Sequence, residues 1–303
     1  RFSDVVHESG EPQHKIRAGN RAVCPRLQGC GLFQHLERVL VDVLVAVVFV
    51  RFKAHGRDFR QHEVGESGVH QQVHAGPRAL AHLRECGLKP ADVRVVPAAA
   101  GGPKGLVLNP LDRFLFGHWL AGSSQPVHLL GASIGAWRMA CAMQPDPDAA
   151  LADLAHGYIH QQFNVPDGAW PSAAEVSRVF VELLAQQFGG RERQLLDHPR
   201  YRLHVFTSRG HGVLLGREGR VRTPLGYAAA FTSNLARRQA LGRWLERVVF
   251  SDARGPLPLP LADFRSRQVP LTAANLTPTM QTSGSIPFVL QAMHDIPDGP
   301  PGA

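Results

Sequence analysis

The sequence predicts an α/β protein whose mostly parallel sheet is covered on both faces by helices. Three observations predict it. From residue 77 onward, short β-branched runs alternate with stretches of helical periodicity. Two of those runs lead directly into small-residue loops that open helices, the connection a parallel sheet requires. The chain has 303 residues, 44% of them hydrophobic and 19% charged, which is ordinary for a folded protein. A domain of this order buries about 70–75% of its unfolded surface.

The elements follow in order. Pro77 opens a helix with Leu80 and Leu83 on one face, and Gly87 is placed to end it in a left-handed cap. Val93-Arg94-Val95-Val96 reads as a strand, and Ala98 to Gly105 as a tight strand-to-helix loop. Leu111, Phe114, Leu115 and Trp119 then recur at three- and four-residue intervals, with Pro110 near the helix start and Gly122 past its end. Val127-His128-Leu129-Leu130 is a second strand, running into Gly131-Ala132-Ser133-Ile134-Gly135 and a helix from Ala136 to Met143. Helices over 149–162 and 172–188 and strands near 201–208 and 212–216 complete the pattern. Trp119, Trp137 and Trp170 at helical spacing are read as core before they are read as lipid contacts.

Residues 1–76 differ in composition. Position 1 is Arg, seven histidines (His7, His14, His35, His55, His62, His70 and His74) crowd the stretch, and helical periodicity is poor. We read it as a separate segment, with an upstream start or a shifted reading frame as alternatives. The Val-rich run between Arg38 and Arg51 suits a buried strand. His70/His74 and His156/His160 each stand four apart, as metal ligands on a helix would. Neither pair has a third ligand at suitable spacing, and surface histidines are the preferred reading of both.

The formal net charge of +8 favours loose association with phosphates, but the basic residues are scattered Arg with no aromatic-interleaved stripe. Nucleic acid is therefore not the expected partner. Cys24, Cys30, Cys86 and Cys141 form no C-x-x-C pair and no repeating interval, so the default is reduced thiols in a cytoplasmic protein. The apolar run from Val39 to Val50 contains Asp42 and is too short to span a bilayer.

The chemistry concentrates in two glycine loops. A serine hydroxyl is a weak nucleophile, so it must stand on an exposed, strained bend where a base reaches its proton and amides receive the oxyanion. Gly131-Ala132-Ser133-Ile134-Gly135 supplies that bend: a side chain at 131 is expected to crowd the neighbouring strand, and one at 135 the packing of the following helix. The motif alone occurs by accident in about one chain in ten of this length. The upstream Gly101-Gly102-Pro103-Lys104-Gly105 raises its weight, because successive N–H groups there can turn toward an anion. Pro103 has no N–H, so Gly101, Gly102 and Lys104 are the expected donors. A tight structural turn and a phosphate site are the alternatives, and the loop lacks the Ser or Thr of a Walker motif.

A Gly-Gly-x-Lys/Arg-Gly loop followed about thirty residues later by G-x-S-x-G resembles the patatin-like phospholipases. Ser283 through Phe288 is similar to that family's small-residue segment before a Pro and an aromatic. The resemblance covers 77–303. It implies a three-layer α/β/α sandwich and a Ser-Asp dyad acting on a lipid acyl ester, with peripheral contact to a membrane surface and no metal or organic cofactor. Ser133 matches the nucleophile, Gly131 and Gly135 flank it, and Gly101, Gly102, Lys104 and Gly105 match the oxyanion loop. Ala99 and Ala100 stand where the family commonly has Asp and a further Gly. The family's Asp-Gly-Gly or Asp-Gly-Ala motif has no match: Asp298-Gly299 is followed by Pro300. The dyad Asp is thus expected past Ala303, with Asp298 as second choice and a turn as its plain reading.

Two other readings stand beside this one. In a Ser-acid-His triad, His204, His211 or His294 would serve, since all follow the elbow in chain order. A relative without activity would bind acyl chains or partners and cleave nothing.

Overall fold

The computed structural model describes residues 75–166, 169–214, 219, 221–263 and 265–301, all within one contact unit. The Val-rich run, the His70/His74 pair, Cys24 and Cys30 lie outside the described residues. Val95–Ala98 (β1), Val127–Gly131 (β2), Tyr201–Gly210 (β3), Leu245–Ser251 (β4) and Ser266–Pro270 (β5) form one sheet in that spatial order. The pairs β1–β2, β2–β3 and β4–β5 are parallel and β3–β4 is antiparallel. The chain is therefore α/β with a mostly parallel sheet, as the alternation of elements predicts.

Helices follow where local rules place them. Pro77–Cys86 (α1) ends at Gly87, whose φ of 69° is the left-handed conformation expected of it and whose N–H donates to the Leu83 carbonyl at 3.1 Å. Pro147–Ile159 (α4) is capped by Asp146, whose carboxylate accepts from the Ala149 amide at 3.0 Å. Ala173–Phe188 (α5) is capped by Ser172, which accepts from the Glu175 amide at 3.2 Å. The remaining helices are Asn109–Phe114 (α2), Ile134–Cys141 (α3), Glu192–Leu196 (α6), Arg222–Ala236 (α7) and Leu276–Gly284 (α8).

Strand alternation sorts side chains onto two faces. Val127, Leu129, Leu203, Val205, Val248 and Phe250 join a large core with α3, α4, α5 and α8. Every residue of α3 is buried, so this helix lies at the centre of that layer. On the opposite face Leu130, Phe206 and Val249 pack with Leu257, Leu259 and Leu261, which belong to no helix. Among the described residues, irregular chain covers this part of the second face, and α7 reaches it at the start of β4, where Ala230 packs with Leu245.

Two local expectations need correction. The helix over 109–122 is broken into α2, a wider turn over Leu115–Trp119 and a tighter one over Leu120–Gly122. Its inward residues are Asp112, Phe116 and Leu120, while Leu111 and Phe114 are more than half exposed. A buried salt bridge of Asp112 turns the segment away from the face that hydrophobicity selects. Residues 212–214 form a single turn in place of a strand, because β3 runs on to Gly210 and pairs there with β4. Among the described residues no helix is long and apolar enough to cross a membrane.

Candidate active site

β2 ends at Gly131 and α3 begins at Ile134, leaving Ala132 and Ser133 to make the whole bend. Ser133 accordingly has φ 53° and ψ −131°, a left-handed region that non-glycine residues enter only under constraint. The constraint is visible. The Ser133 amide donates to Ser283 Oγ at 2.8 Å, and Ser283 Oγ donates in turn to the Phe206 carbonyl on β3 at 2.7 Å. The Ser133 carbonyl accepts from the Ala136 amide at 2.9 Å and the Trp137 amide at 3.3 Å.

The two elbow glycines act on exchanged partners. A Cβ at Gly131 would stand 2.4 Å from Ala136 Cα, at the start of the following helix. One at Gly135 would stand 2.3 Å from the Ala98 carbonyl oxygen and 2.6 Å from that of Ala99, at the end of neighbouring strand β1. The sequence expectation had these the other way round. The reversal arises because the chain doubles back over Gly131, while α3 leaves the bend across β1.

The same close approach carries the first glycine loop to the elbow. Gly105 is buried, and a Cβ there would lie 2.6 Å from Ile134 Cγ2. Gly101 through Gly105 thus flank the residue that follows Ser133. Gly102 has φ 52° and opens a short helical segment, where the first N–H groups have no internal acceptor. Lys104 is different: its amide donates to the Gly101 carbonyl at 3.2 Å. That bond removes Lys104 from the expected donors and leaves Gly101 and Gly102. On the elbow side, the amides of Gly135, Ala136 and Trp137 bond to the Ala132 and Ser133 carbonyls, while Ile134 is the first residue of α3. The positive end of α3 also points at Ser133.

Ser133 is 8% exposed, and its Oγ makes no hydrogen bond among the described residues. Among the described residues no carboxylate or imidazole hydrogen-bonds to it. Asp298 is an exposed turn residue with φ 62°, and the preceding Pro297 carbonyl accepts from Asn275 Nδ2, which also donates to Pro270 at the end of β5. With strands about 4.8 Å apart, that anchor lies on the order of 14 Å from β2.

The three histidines occupy three different places. His204 on β3 is fully buried and stacks on His128, with Nε2 of the former 2.8 Å from Nδ1 of the latter. Burial pushes its pKa down to about 4, with His128 adding to the effect and Asp252 opposing it. Its ring lies on the Phe206 face of β3, and a neutral ring so disfavoured for protonation is a poor general base. His211 Nε2 lies 3.2 Å from Glu246 Oε2, an acid-imidazole pair that sequence reasoning missed. Burial raises the Glu246 pKa, but bonds from Arg267, His211 and Arg209 outweigh it and hold the carboxyl below its usual range. His211 stands five residues past Phe206, on the order of 16 Å at strand rise. His294 is exposed and belongs to no helix or strand.

Two further features went unseen in the sequence. Arg138 on α3 and Asp112 on α2 form a bidentate pair at 2.5 and 2.8 Å, each residue 4% exposed. It ties the elbow helix to the segment that leaves the glycine loop. Trp137 Nε1 donates to the Met280 carbonyl at 3.1 Å, tying α3 to α8 and so to Ser283. The small-residue run around Ser283 was the one signal for any of this. His156 and His160 stack at 4.1 Å, and among the described residues no group of three candidate ligands gathers around a metal position.

Comparison with family models, curated proteins and solved structures finds no match to this chain.

Proposed function

We propose that this chain is a serine acyl hydrolase of the patatin-like kind, a three-layer sandwich acting on lipid acyl esters with Ser133 as nucleophile. The observation that carries the reading is the constrained bend at Ser133, with φ 53°, set beside the Gly101–Gly105 loop through Gly105 and Ile134. A left-handed serine between a parallel strand and a helix presents its hydroxyl to solvent-borne substrate. Because the Ser133 amide is engaged by Ser283, the oxyanion donors are Gly101, Gly102 and Ile134.

In this mechanism Ser133 Oγ attacks the ester carbonyl carbon as a carboxylate takes its proton. The oxyanion collapses with loss of the alcohol, and water then releases the acid by the same route in reverse. The resemblance implies an aspartate as the base; the turn that carries Asp298 is anchored beside β5, on the order of 14 Å from β2.

The reading is tested with a fluorophosphonate probe on the protein expressed from its complete reading frame. A covalent adduct on Ser133, abolished by Ser133→Ala, is the expected result. An intact, folded protein without that adduct would leave the non-catalytic, acyl-binding reading in its place.

A further inference from the structure

Tyr158 sits on the last turn of α4, half-buried against Trp137 and Phe180, with ring centroids 6.3 and 5.6 Å away in edge-to-face arrangements. These contacts hold the ring from two sides and leave its polar end pointing elsewhere. That end faces the glycine loop: a Cβ on Gly102 would lie 3.8 Å from the Tyr158 hydroxyl, the nearest atom to it. The hydroxyl makes no hydrogen bond among the described residues and is not sealed from solvent, so it is open to a ligand that enters beside the loop. Trp137 lies one helical turn beyond Ser133 and Gly102 is a proposed oxyanion donor, so Tyr158 meets the elbow helix with its ring and the glycine loop with its hydroxyl.

We propose that the Tyr158 hydroxyl donates a hydrogen bond to the carbonyl oxygen of an acyl ester bound at Ser133, a side-chain donor beside the amides of Gly101 and Gly102. This rests on the acyl-transfer reading of Ser133. As Ser133 Oγ forms its bond to the carbonyl carbon, its proton passes to the carboxylate base and the carbonyl π pair moves onto oxygen. The oxygen, now anionic, accepts from Tyr158 with no proton transferred. Collapse restores the carbonyl, breaks the ester C–O bond and sends the proton out with the alcohol. Burial pushes the Tyr158 pKa up to about 12, so the group stays a protonated donor across the working range. Glycine at 102 is favoured by its φ of 52°, and without a Cβ it leaves the space in front of the hydroxyl open.

The test compares wild type with Tyr158→Phe and Phe180→Leu, all expressed from the complete reading frame, in their rate of fluorophosphonate labelling at Ser133. Tyr158→Phe keeps the ring and removes the hydroxyl. It is expected to slow labelling by about 100- to 1,000-fold, the range for one lost oxyanion donor. The thermal midpoint should stay unchanged and the phosphorus NMR resonance of the Ser133 adduct should move. Phe180→Leu disturbs the same ring cluster without touching the hydroxyl and should slow labelling by no more than about twofold. Labelling of Tyr158→Phe at the wild-type rate, or an equal loss in Phe180→Leu, would overturn the inference and leave Ser133 as nucleophile. Absence of any wild-type adduct would overturn the acyl-transfer reading and this inference with it.

Discussion

The hydroxyl of Ser283 accepts the amide proton of Ser133 and donates its own to the Phe206 carbonyl, joining α8, the elbow and β3 through one buried oxygen. Both bonded groups are buried, so the hydroxyl holds the bend in its left-handed conformation against β3. Replacing Ser283 with Ala leaves an N–H and a C=O unpaired, at about 1–3 kcal/mol each. Urea unfolding should register a loss of about 2–6 kcal/mol for the two together. Phosphonate labelling of Ser133 should fall by roughly 100-fold, the effect of a displacement near 1 Å. An unchanged labelling rate in Ser283→Ala would show that the bend holds without it.

Gly135 is the tightest point of the elbow. Its Cβ would meet the Ala98 carbonyl oxygen at 2.3 Å, and both are backbone-bound, so no side chain can yield. Gly135→Ala is expected to cost at least about 3 kcal/mol. Gly122 has no heavy atom within 4 Å of the same position and an ordinary backbone conformation, so Gly122→Ala should be neutral or slightly stabilising. Thermal denaturation of the two variants side by side checks the difference.

The Asp112–Arg138 pair should behave as a buried ion pair does. Removing one partner strands a charge in the interior, and Arg138→Ala is expected to destabilise by about 3–5 kcal/mol. Arg178, bonded to Glu175 and Glu182 on the solvent side of α5, is the comparison. Arg178→Ala should leave the unfolding midpoint almost where it was. Equal losses in the two variants would mean that the buried pair contributes no more than a surface one.

Acid should loosen the lower part of β2 and β3. His204 and His198 are both pushed down to about 4 by burial, the former aided by His128 and the latter by Arg200, Arg254 and Arg202. His128 is lowered too, by burial and Arg202, with Asp252 opposing. A histidine whose folded pKa lies below its unfolded value near 6.5 binds fewer protons when folded, so stability falls as pH drops from about 6.5 toward 4. For His204 alone the loss across that window is on the order of 3 kcal/mol. His204→Leu should flatten the curve of unfolding free energy against pH, and an unchanged slope would contradict the assignment.

The triad alternative makes a separate demand. If His211 and Glu246 served Ser133, His211→Gln would abolish labelling. The place of His211 past the end of β3, with Glu246 at the start of β4, predicts that labelling persists within about threefold and that only local stability changes.

Read alone, the chain determines those features whose causes act over a few residues. The Ser172–Glu175 and Asp146–Ala149 caps, the left-handed Gly87 and the apolar strands β1 to β3 all follow from local hydrogen bonding and periodicity. So does the strand-bend-helix setting of Ser133, because a glycine on each side of a serine has few other uses there. Tertiary packing decided the rest. Ser133 and Ser283 are 150 residues apart in sequence, and Arg138 and Asp112 are 26 apart. No periodicity links such pairs, since they meet only when separate elements stack on one face of the sheet. Which wall each elbow glycine touches and which loop amides stay free were settled there too, by contacts between chain segments that local rules treat independently.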